Sequence, residues 1–209
     1  GDEFQVNTYT TGSQQTYFES NKTVAMDRDG NFVVAWSSSQ DGNGFGVFGQ
    51  RYNAFGMALG GEFQVNTYTT FSQTNAVVAM DADGDFVVTW SSGQIVTQDG
   101  STTGVYAQRY NAAGVAQGSE FQVNSYTLGY QRGPSVAADA NGNFAVAWMS
   151  DGQDGGSHGV FGQRFNASGL RQGSEFRVNS YTTFAQVLPA VASDASGNFV
   201  VVWTSWYQD

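Results

Sequence analysis

Short apolar runs alternate with turn-forming residues along the whole chain, and the longest apolar runs have the length of a strand. The run 32–36, for example, is bounded on both sides by clusters of Gly, Asn, Asp and Ser, a pattern typical of strands joined by turns. No stretch of ten or more residues keeps the 3.6-residue period of an amphipathic helix. The pattern therefore predicts an all-β protein.

One sequence unit is repeated with a period of 54 to 59 residues. The segment Glu-Phe-Gln-Val-Asn begins at Glu3, Glu62 and Glu120, and returns at Glu175 with Arg in place of Gln. The pattern Asp-x-x-Gly-x-Phe-x-Val-x-Trp ends at Trp36, Trp90, Trp148 and Trp203. A third segment, Gly-Val-x-x-Gln-Arg-x-Asn, occurs three times. This repetition predicts one structural unit used four times.

Each unit contains four predicted strands, which in the first unit are strand a (23–27), strand b (32–37), strand c (47–53) and strand d (62–68). The links have hairpin length, so each unit is predicted to be an antiparallel meander. Meanders repeated around an axis form a β-propeller, whereas an open stack or a two-sheet sandwich is the alternative. Strand b is apolar on both faces, which favours a blade buried between two others. We expect one repeat domain, 1–209, with a closure strand at 1–9 and repeats at about 10–68, 69–126, 127–181 and 182–209.

The predicted strands number fifteen, because the last unit lacks strand c. The fold class is therefore a β-propeller-like array of about four four-stranded antiparallel blades, one of them incomplete. Unpaired strand edges invite pairing with another chain. The chain is then a fragment of a longer protein, or two copies form a larger ring, or the array continues as a fibre.

The repeat pattern DxDGNFVVAW…QDGxGxGVFGQRYNAxGxxxGxEFQVNTYT resembles the tandem repeats of large secreted bacterial proteins. These are cyanobacterial and proteobacterial surface or calcium-associated exoproteins with propeller-like blades. The resemblance covers the whole chain. It implies a secreted or cell-surface location and a role in adhesion or display, without a defined activity.

Charge and composition exclude several classes of partner. The chain of 209 residues has a net charge of −10 and a single lysine, Lys22, so nucleic acid and anionic membranes are unfavourable partners. No apolar run is long enough to insert into a membrane. The absence of cysteine excludes disulfides, thiol catalysis and cysteine-ligated metals.

Variation in length is confined to two of the four links. The a–b and c–d links have constant length, whereas the b–c and d–a links vary, with insertions at 14–23 and 94–103. In a meander blade the two variable links lie on the same rim, and insertions on one face often mark a binding surface. Aromatic rings and short polar groups suit sugars, and a solvated loop rim is the alternative. The predicted glycan-binding or polymer-binding residues are Tyr9, Tyr17, Gln40, Asp41, Tyr68, Gln98, Asp99, Tyr126, Tyr130, Gln153, Asp154 and Tyr181.

The Asp-rich a–b turns offer oxygen ligands, which are the ligands of Ca²⁺, so Ca²⁺ is the candidate cofactor. The alternative is ordinary turn chemistry, in which Asp caps the hairpin and Gly adopts a positive φ. Each Arg at the end of strand c is expected to pair with the turn Asp of its own blade, as Arg51 with Asp27. The candidate metal ligands are Asp27, Asp29, Asp81, Asp83, Asp85 and Asp139.

No catalytic motif is present, and the single histidine, His158, has no partner that the sequence identifies. Carboxylates that recur in every unit are poor catalytic candidates, because catalysis needs one asymmetric group of residues. The leading hypothesis is a non-catalytic extracellular module for adhesion or for binding a glycan or polymer. The alternative is a structural repeat protein that self-associates through its unpaired edge strands into a ring, fibre or surface layer.

Overall fold

The computed structural model describes residues 2–17, 19, 22–93, 98, 100 and 102–208, which form four antiparallel sheets. We call the sheets blades 1 to 4, in chain order. Blade 1 contains β1 (Gln14–Gln15), β2 (Val24–Met26), β3 (Phe32–Ser38), β4 (Gly46–Tyr52) and β5 (Phe63–Gln64), with a 3₁₀ turn at Ser39–Asp41. Blade 2 contains β6 (Gln73–Met80), β7 (Phe86–Ser92), β8 (Gly104–Tyr110) and β9 (Phe121–Gln122). Blade 3 contains β10 (Gln131–Ala138), β11 (Phe144–Asp151), β12 (His158–Phe165) and β13 (Phe176–Arg177), and blade 4 contains β14 (Gln186–Ser193) and β15 (Phe199–Ser205).

The predicted meander is confirmed, because each strand pairs with the next one along the chain in blades 2 and 3. Strand d is much shorter than the predicted seven residues, since only two residues of each d segment that begins at Glu62, Glu120 and Glu175 join the sheet as a strand. Strand a of the first unit is also divided. Its two pieces, β1 and β2, both pair with β3.

The blades pack face to face through strand b, as the apolar pattern predicts. Every residue of β7 is buried. One face of blade 1, with Val33 and Ala35, packs on Val88 and Trp90 of blade 2. The same pair of faces meets between blades 2 and 3 and between blades 3 and 4. The strand-b tryptophans Trp36, Trp90 and Trp148 are buried, whereas Trp203 of blade 4 is 36% exposed.

The N-terminal segment packs on blade 1 as a strand d packs on the blade that follows it. The ring of Phe4 lies 5.3 Å from that of Tyr52, and the Tyr52 hydroxyl donates to the carbonyl of Val6 at 2.7 Å. The same ring distance, 5.3 Å, separates Phe63 from Tyr110 one unit later. Residues 2–13 belong to no strand, so the predicted closure strand remains a prediction.

The links lie on two opposite rims. On the turn rim, which carries the a–b turns and the c–d links, the Ala112 amide donates to Asp85 at 2.8 Å. On the loop rim, the Gly93 amide donates to the Ser72 carbonyl at 2.9 Å. Among the described residues, the loop rim consists of the b–c loops (39–45, 93, 98, 100, 102–103 and 152–157) and the d–a links (8–13, 67–72, 125–130 and 180–185). The variable links therefore share one rim, as predicted.

The predicted pairing of each strand-c arginine with the Asp of its own blade is wrong. Arg51 lies opposite Val33 in the sheet, so its side chain points from the face that packs on blade 2. There it donates to the carbonyl of Ala113 at 2.5 Å, and Arg109 makes the same bond to Ala167 of blade 3. These arginines join consecutive blades through backbone carbonyls.

The outward face of blade 4 is apolar and uncovered. Val200 and Val202 are 60% and 58% exposed, whereas Val87 and Thr89, at the same positions of blade 2, are buried against blade 3.

Within the described part of the chain, no helix is long and apolar enough to cross a membrane.

Candidate functional site

Three of the predicted ligand-binding residues are glutamines that the fold uses to hold the loop rim together. The Gln40 amide donates to Glu62 at 2.7 Å, and the second oxygen of that carboxylate accepts from the backbone amide of Thr8 at 2.8 Å. Glu62 thus ties the b–c loop of its own blade to the preceding d–a link. The same connection is made by Gln98 with Glu120 and by Gln153 with Glu175.

The electrostatics of this connection favour the charged carboxylate. Burial raises the pKa of Glu62, but hydrogen bonds from the backbone and hydroxyl of Thr8 and from Gln40 lower it, and the net pKa is below its ordinary value. Each glutamine nitrogen donates to the carboxylate, whereas the carbonyl oxygens of Gln98 and Gln153 are buried without a hydrogen-bond partner. These glutamines position the loops of the rim.

The predicted loop aspartates are also largely engaged. Asp154 accepts from the Asn179 side chain at 2.8 Å and from the Gly156 amide at 3.0 Å. Asp41 accepts from the Asn43 amide at 3.1 Å, while its other carboxylate oxygen is buried without a hydrogen-bond partner. Asp99 lies outside the described residues.

The predicted tyrosines divide into two groups. Tyr9 and Tyr130 are exposed on the loop rim, whereas Tyr68, Tyr126 and Tyr181 are half-buried. Tyr17 is half-buried with its ring edge-on to Phe45 at 6.0 Å, and burial raises the pKa of its hydroxyl. Exposed aromatic surface is therefore available on part of the rim only.

Two exposed phenylalanines on the loop rim have an unusual backbone conformation. Phe71 and Phe184 have φ values of 61°, in the left-handed region that bulky residues rarely adopt. The first and third units place Gly12 and Gly129 at the same position, also with positive φ. The two rings are 41% and 52% exposed, so burial does not account for the choice of Phe. Both phenylalanines lie in the variable d–a links that the sequence assigns to the candidate binding face, where Phe replaces Gly in otherwise similar links.

A second aromatic contact extends this surface at blade 4. The ring of Phe184 lies 5.0 Å from that of Tyr207, which is itself exposed and has a φ of 56°. The Tyr181 hydroxyl donates to the backbone carbonyl of Tyr207 at 3.3 Å. The rim of blade 4 therefore presents two aromatic rings side by side toward solvent.

The candidate metal ligands lie on the turn rim, where the first Asp of each turn closes the hairpin. One oxygen of Asp27 accepts from the backbone amides of Asp29 and Asn31, both at 2.9 Å. Asp81 and Asp139 make the same bonds in their own turns. Burial raises the pKa of Asp81.

The remaining acidic side chains of these turns make contacts of their own. Asp83 forms an exposed ion pair with Arg28 of blade 1 at 3.0 Å, and Asp85 accepts from the Ala112 amide. No group of three or more His, Cys, Asp or Glu side chains suited to a metal is found among the described residues. The geometry of the turns is that of capped hairpins.

Comparison with known proteins places the chain by its fold. No family model matches the sequence, and no curated protein matches it. A structure of a protein of unknown function from Dyadobacter fermentans has a TM-score of 0.59 and 10% identity, covering 89% of this chain and 62% of that chain. The Hadza microbial sialidase Hz136 has a TM-score of 0.53 and 11% identity, covering 87% of this chain and 43% of its own.

An endo-arabinase from Bacteroides thetaiotaomicron has a TM-score of 0.51 and 14% identity, covering 89% of this chain and 70% of its own. The identities are low, so the comparison establishes architecture alone. The chain is an all-β protein of the β-propeller class.

Proposed function

We propose that the chain is a non-catalytic extracellular binding module that recognises a glycan or a related polymer through its loop rim. The observation that carries this proposal is the pair of exposed phenylalanines, Phe71 and Phe184, in left-handed backbone positions. Such a conformation costs free energy, and residues held in it concentrate at functional sites. An exposed ring has an apolar face suited to the C–H face of a sugar.

The nature of two fold neighbours supports this proposal. Their names describe a sialidase and an endo-arabinase, which are enzymes that act on carbohydrate.

The carboxylates of the loop rim support the proposal that the chain is not an enzyme. Glu62, Glu120 and Glu175 each accept hydrogen bonds from a glutamine and from the preceding link, whereas glycoside hydrolysis uses two carboxylates that contact the sugar. The extracellular location rests on the resemblance to secreted repeats.

The proposal is tested by affinity electrophoresis in gels containing soluble polysaccharides. The test variant carries Phe71→Gly and Phe184→Gly, which are the residues that sister units use at this position. The control variant carries Phe55→Gly, which removes a ring that is 87% exposed on the opposite rim. We expect retardation of the wild type and the control by at least one polysaccharide, and loss of retardation in the test variant. Equal retardation of all three proteins would reject the phenylalanines as the binding surface.

Self-association is a second candidate function, and one observation favours it. Val200 and Val202 of blade 4 are exposed on the face that, in blades 1 to 3, packs against the next blade. Blade 1 of a second copy fits this face, because its Val24 and Met26 are exposed on the face that, in the later blades, packs against the preceding blade. Light scattering tests the idea. A dimer or polymer that Val200→Lys with Val202→Lys converts to monomer supports assembly, and a monomeric wild type argues against it.

A further inference from the structure

Four side chains at the loop-rim end of blade 3 form a polar cluster. His158 Nε2 lies 3.2 Å from Asp151 Oδ1 and 3.3 Å from Arg132 Nη2, and His158 Nδ1 lies 2.8 Å from Ser157 Oγ. Strand pairing brings these residues together, because Asp151 lies opposite His158 at the open end of the β11–β12 pair. The guanidinium of Arg132 lies 5.9 Å from the ring centre of Tyr130.

The other units have different residues at the same positions. The position of Arg132 is occupied by Gln15, Thr74 and Val187, as the strand registers show. The position of His158 is occupied by Phe45 and Thr103, and that of Asp151 by Ser39 and Gly93. Sister units form the same blade without these side chains. The fold therefore does not require the cluster, and a specific role is the simpler account of its presence.

The cluster contains polar atoms whose hydrogen bonds are not satisfied. Arg132 Nε and Asp151 Oδ1 are both buried without a hydrogen-bond partner. The imidazole of His158 is within ion-pair distance of Asp151, but the geometry is not that of a hydrogen bond. Since Arg132 and Asp151 approach the same ring nitrogen, a neutral imidazole can accept from one or donate to the other, but cannot serve both. Arg132 Nε and Asp151 Oδ1 are out of reach of a ligand, whereas the His158 and Asp151 side chains are 24% and 28% exposed, so a ligand can bond to the accessible part of the cluster.

We infer that Tyr130, Arg132, Asp151 and His158 form a subsite for two neighbouring hydroxyl groups of a neutral sugar. This inference rests on the proposed function. A vicinal diol supplies both kinds of partner, because one hydroxyl donates to the Asp151 carboxylate while the other accepts from the Arg132 guanidinium. The charges of Arg132 and Asp151 cancel, and the chain has a net charge of −10, so an acidic sugar is disfavoured. The exposed ring of Tyr130 borders the subsite.

The test uses residues that occupy the same positions in the other blades. Arg132→Thr copies Thr74, Asp151→Ser copies Ser39, and circular dichroism verifies folding of each variant. The matched control is Gln15→Thr, which makes the equivalent change in blade 1. Affinity electrophoresis is run with linear arabinan, galactan, mannan and xylan, each also after periodate cleavage of its vicinal diols. We expect Arg132→Thr and Asp151→Ser to weaken binding at least about tenfold, the control to bind as the wild type does, and periodate-treated polymer not to bind.

A second readout follows the histidine directly. His158 is the only histidine in the chain, so its imidazole proton signals in NMR report on this subsite alone. They are expected to shift when the retarding polysaccharide is added. Binding that is unchanged in both variants, or that leaves the imidazole signals unmoved, overturns the subsite while the proposed function stands. If none of the four polymers retards the wild type, neutral-glycan binding fails and the subsite fails with it.

Discussion

The left-handed conformation of Phe71 makes a quantitative prediction, which compares the variants Phe71→Ala and Phe71→Gly. Both remove the ring and the contacts of its buried part. They differ in backbone freedom alone, because Ala retains the steric penalty at a φ of 61° and Gly does not. At an ordinary position Gly is less stable than Ala by about 0.5–1 kcal/mol. Here the order is reversed, and we expect Gly to be more stable by about 1 kcal/mol.

Thermal unfolding followed by circular dichroism measures this difference. For a chain of 209 residues, about 1 kcal/mol corresponds to a shift in melting temperature of about 2–4 °C. Phe55 provides the matched control, since it is more exposed than Phe71 and is not among the residues with positive φ. There the Ala variant melts above the Gly variant. A Phe71→Ala variant as stable as Phe71→Gly refutes the claim of backbone strain, and with it the main support for a functional role of this ring.

Three further predictions concern the hydrogen bonds of the repeat and its turns. The folded-state pKa of Glu62 is below its ordinary value, so the stability that its charged carboxylate contributes is present above about pH 4.5 and is lost as pH falls through the folded pKa. The difference in free energy of unfolding between the wild type and Glu62→Gln should therefore narrow under acid. A constant difference contradicts this. Asn124→Ala should lower the free energy of unfolding in urea by about 1–3 kcal/mol, because buried Asn124 accepts from the Val105 amide and donates to the Tyr126 carbonyl. Asn7→Ala should lower it clearly less, because the Asn7 side chain has no strand-c partner among the described residues. Addition of EDTA should leave the melting temperature unchanged, since the turn Asp side chains already accept backbone hydrogen bonds, and a clear decrease would favour calcium sites.

The fold was predictable because the repeat carries the information several times. Constant spacing from the turn Asp to the strand-b Trp specifies a hairpin, and an apolar strand on both faces specifies burial between sheets. The partner of Arg51 was not predictable from the rim to which strand c runs. The side of the sheet on which the Arg51 side chain lies determines which blade it contacts, and that side faces the next blade.

The candidate site was only partly predictable, for a related reason. Gln40 looked like a free ligand group, yet its partner Glu62 lies in another segment of the same blade. His158 looked isolated in the sequence, because Asp151 and Arg132 reach it through two different strand pairs. Motif spacing along the chain does not show such cross-strand neighbours. They emerge only when the register of each pair of strands is known.

The identical pairing of faces at every internal interface has a consequence for how such a protein can change. One unit can be exchanged for another, or duplicated, without altering the surfaces by which its neighbours hold it. Loop-rim residues can thus be copied from one blade to the next while the core stays the same. Duplication of the third unit would place a second copy of its polar cluster on the same molecule. Two weak sites on one rigid support bind a repetitive polymer by avidity, so affinity can grow through the number of units rather than through improvement of any single contact.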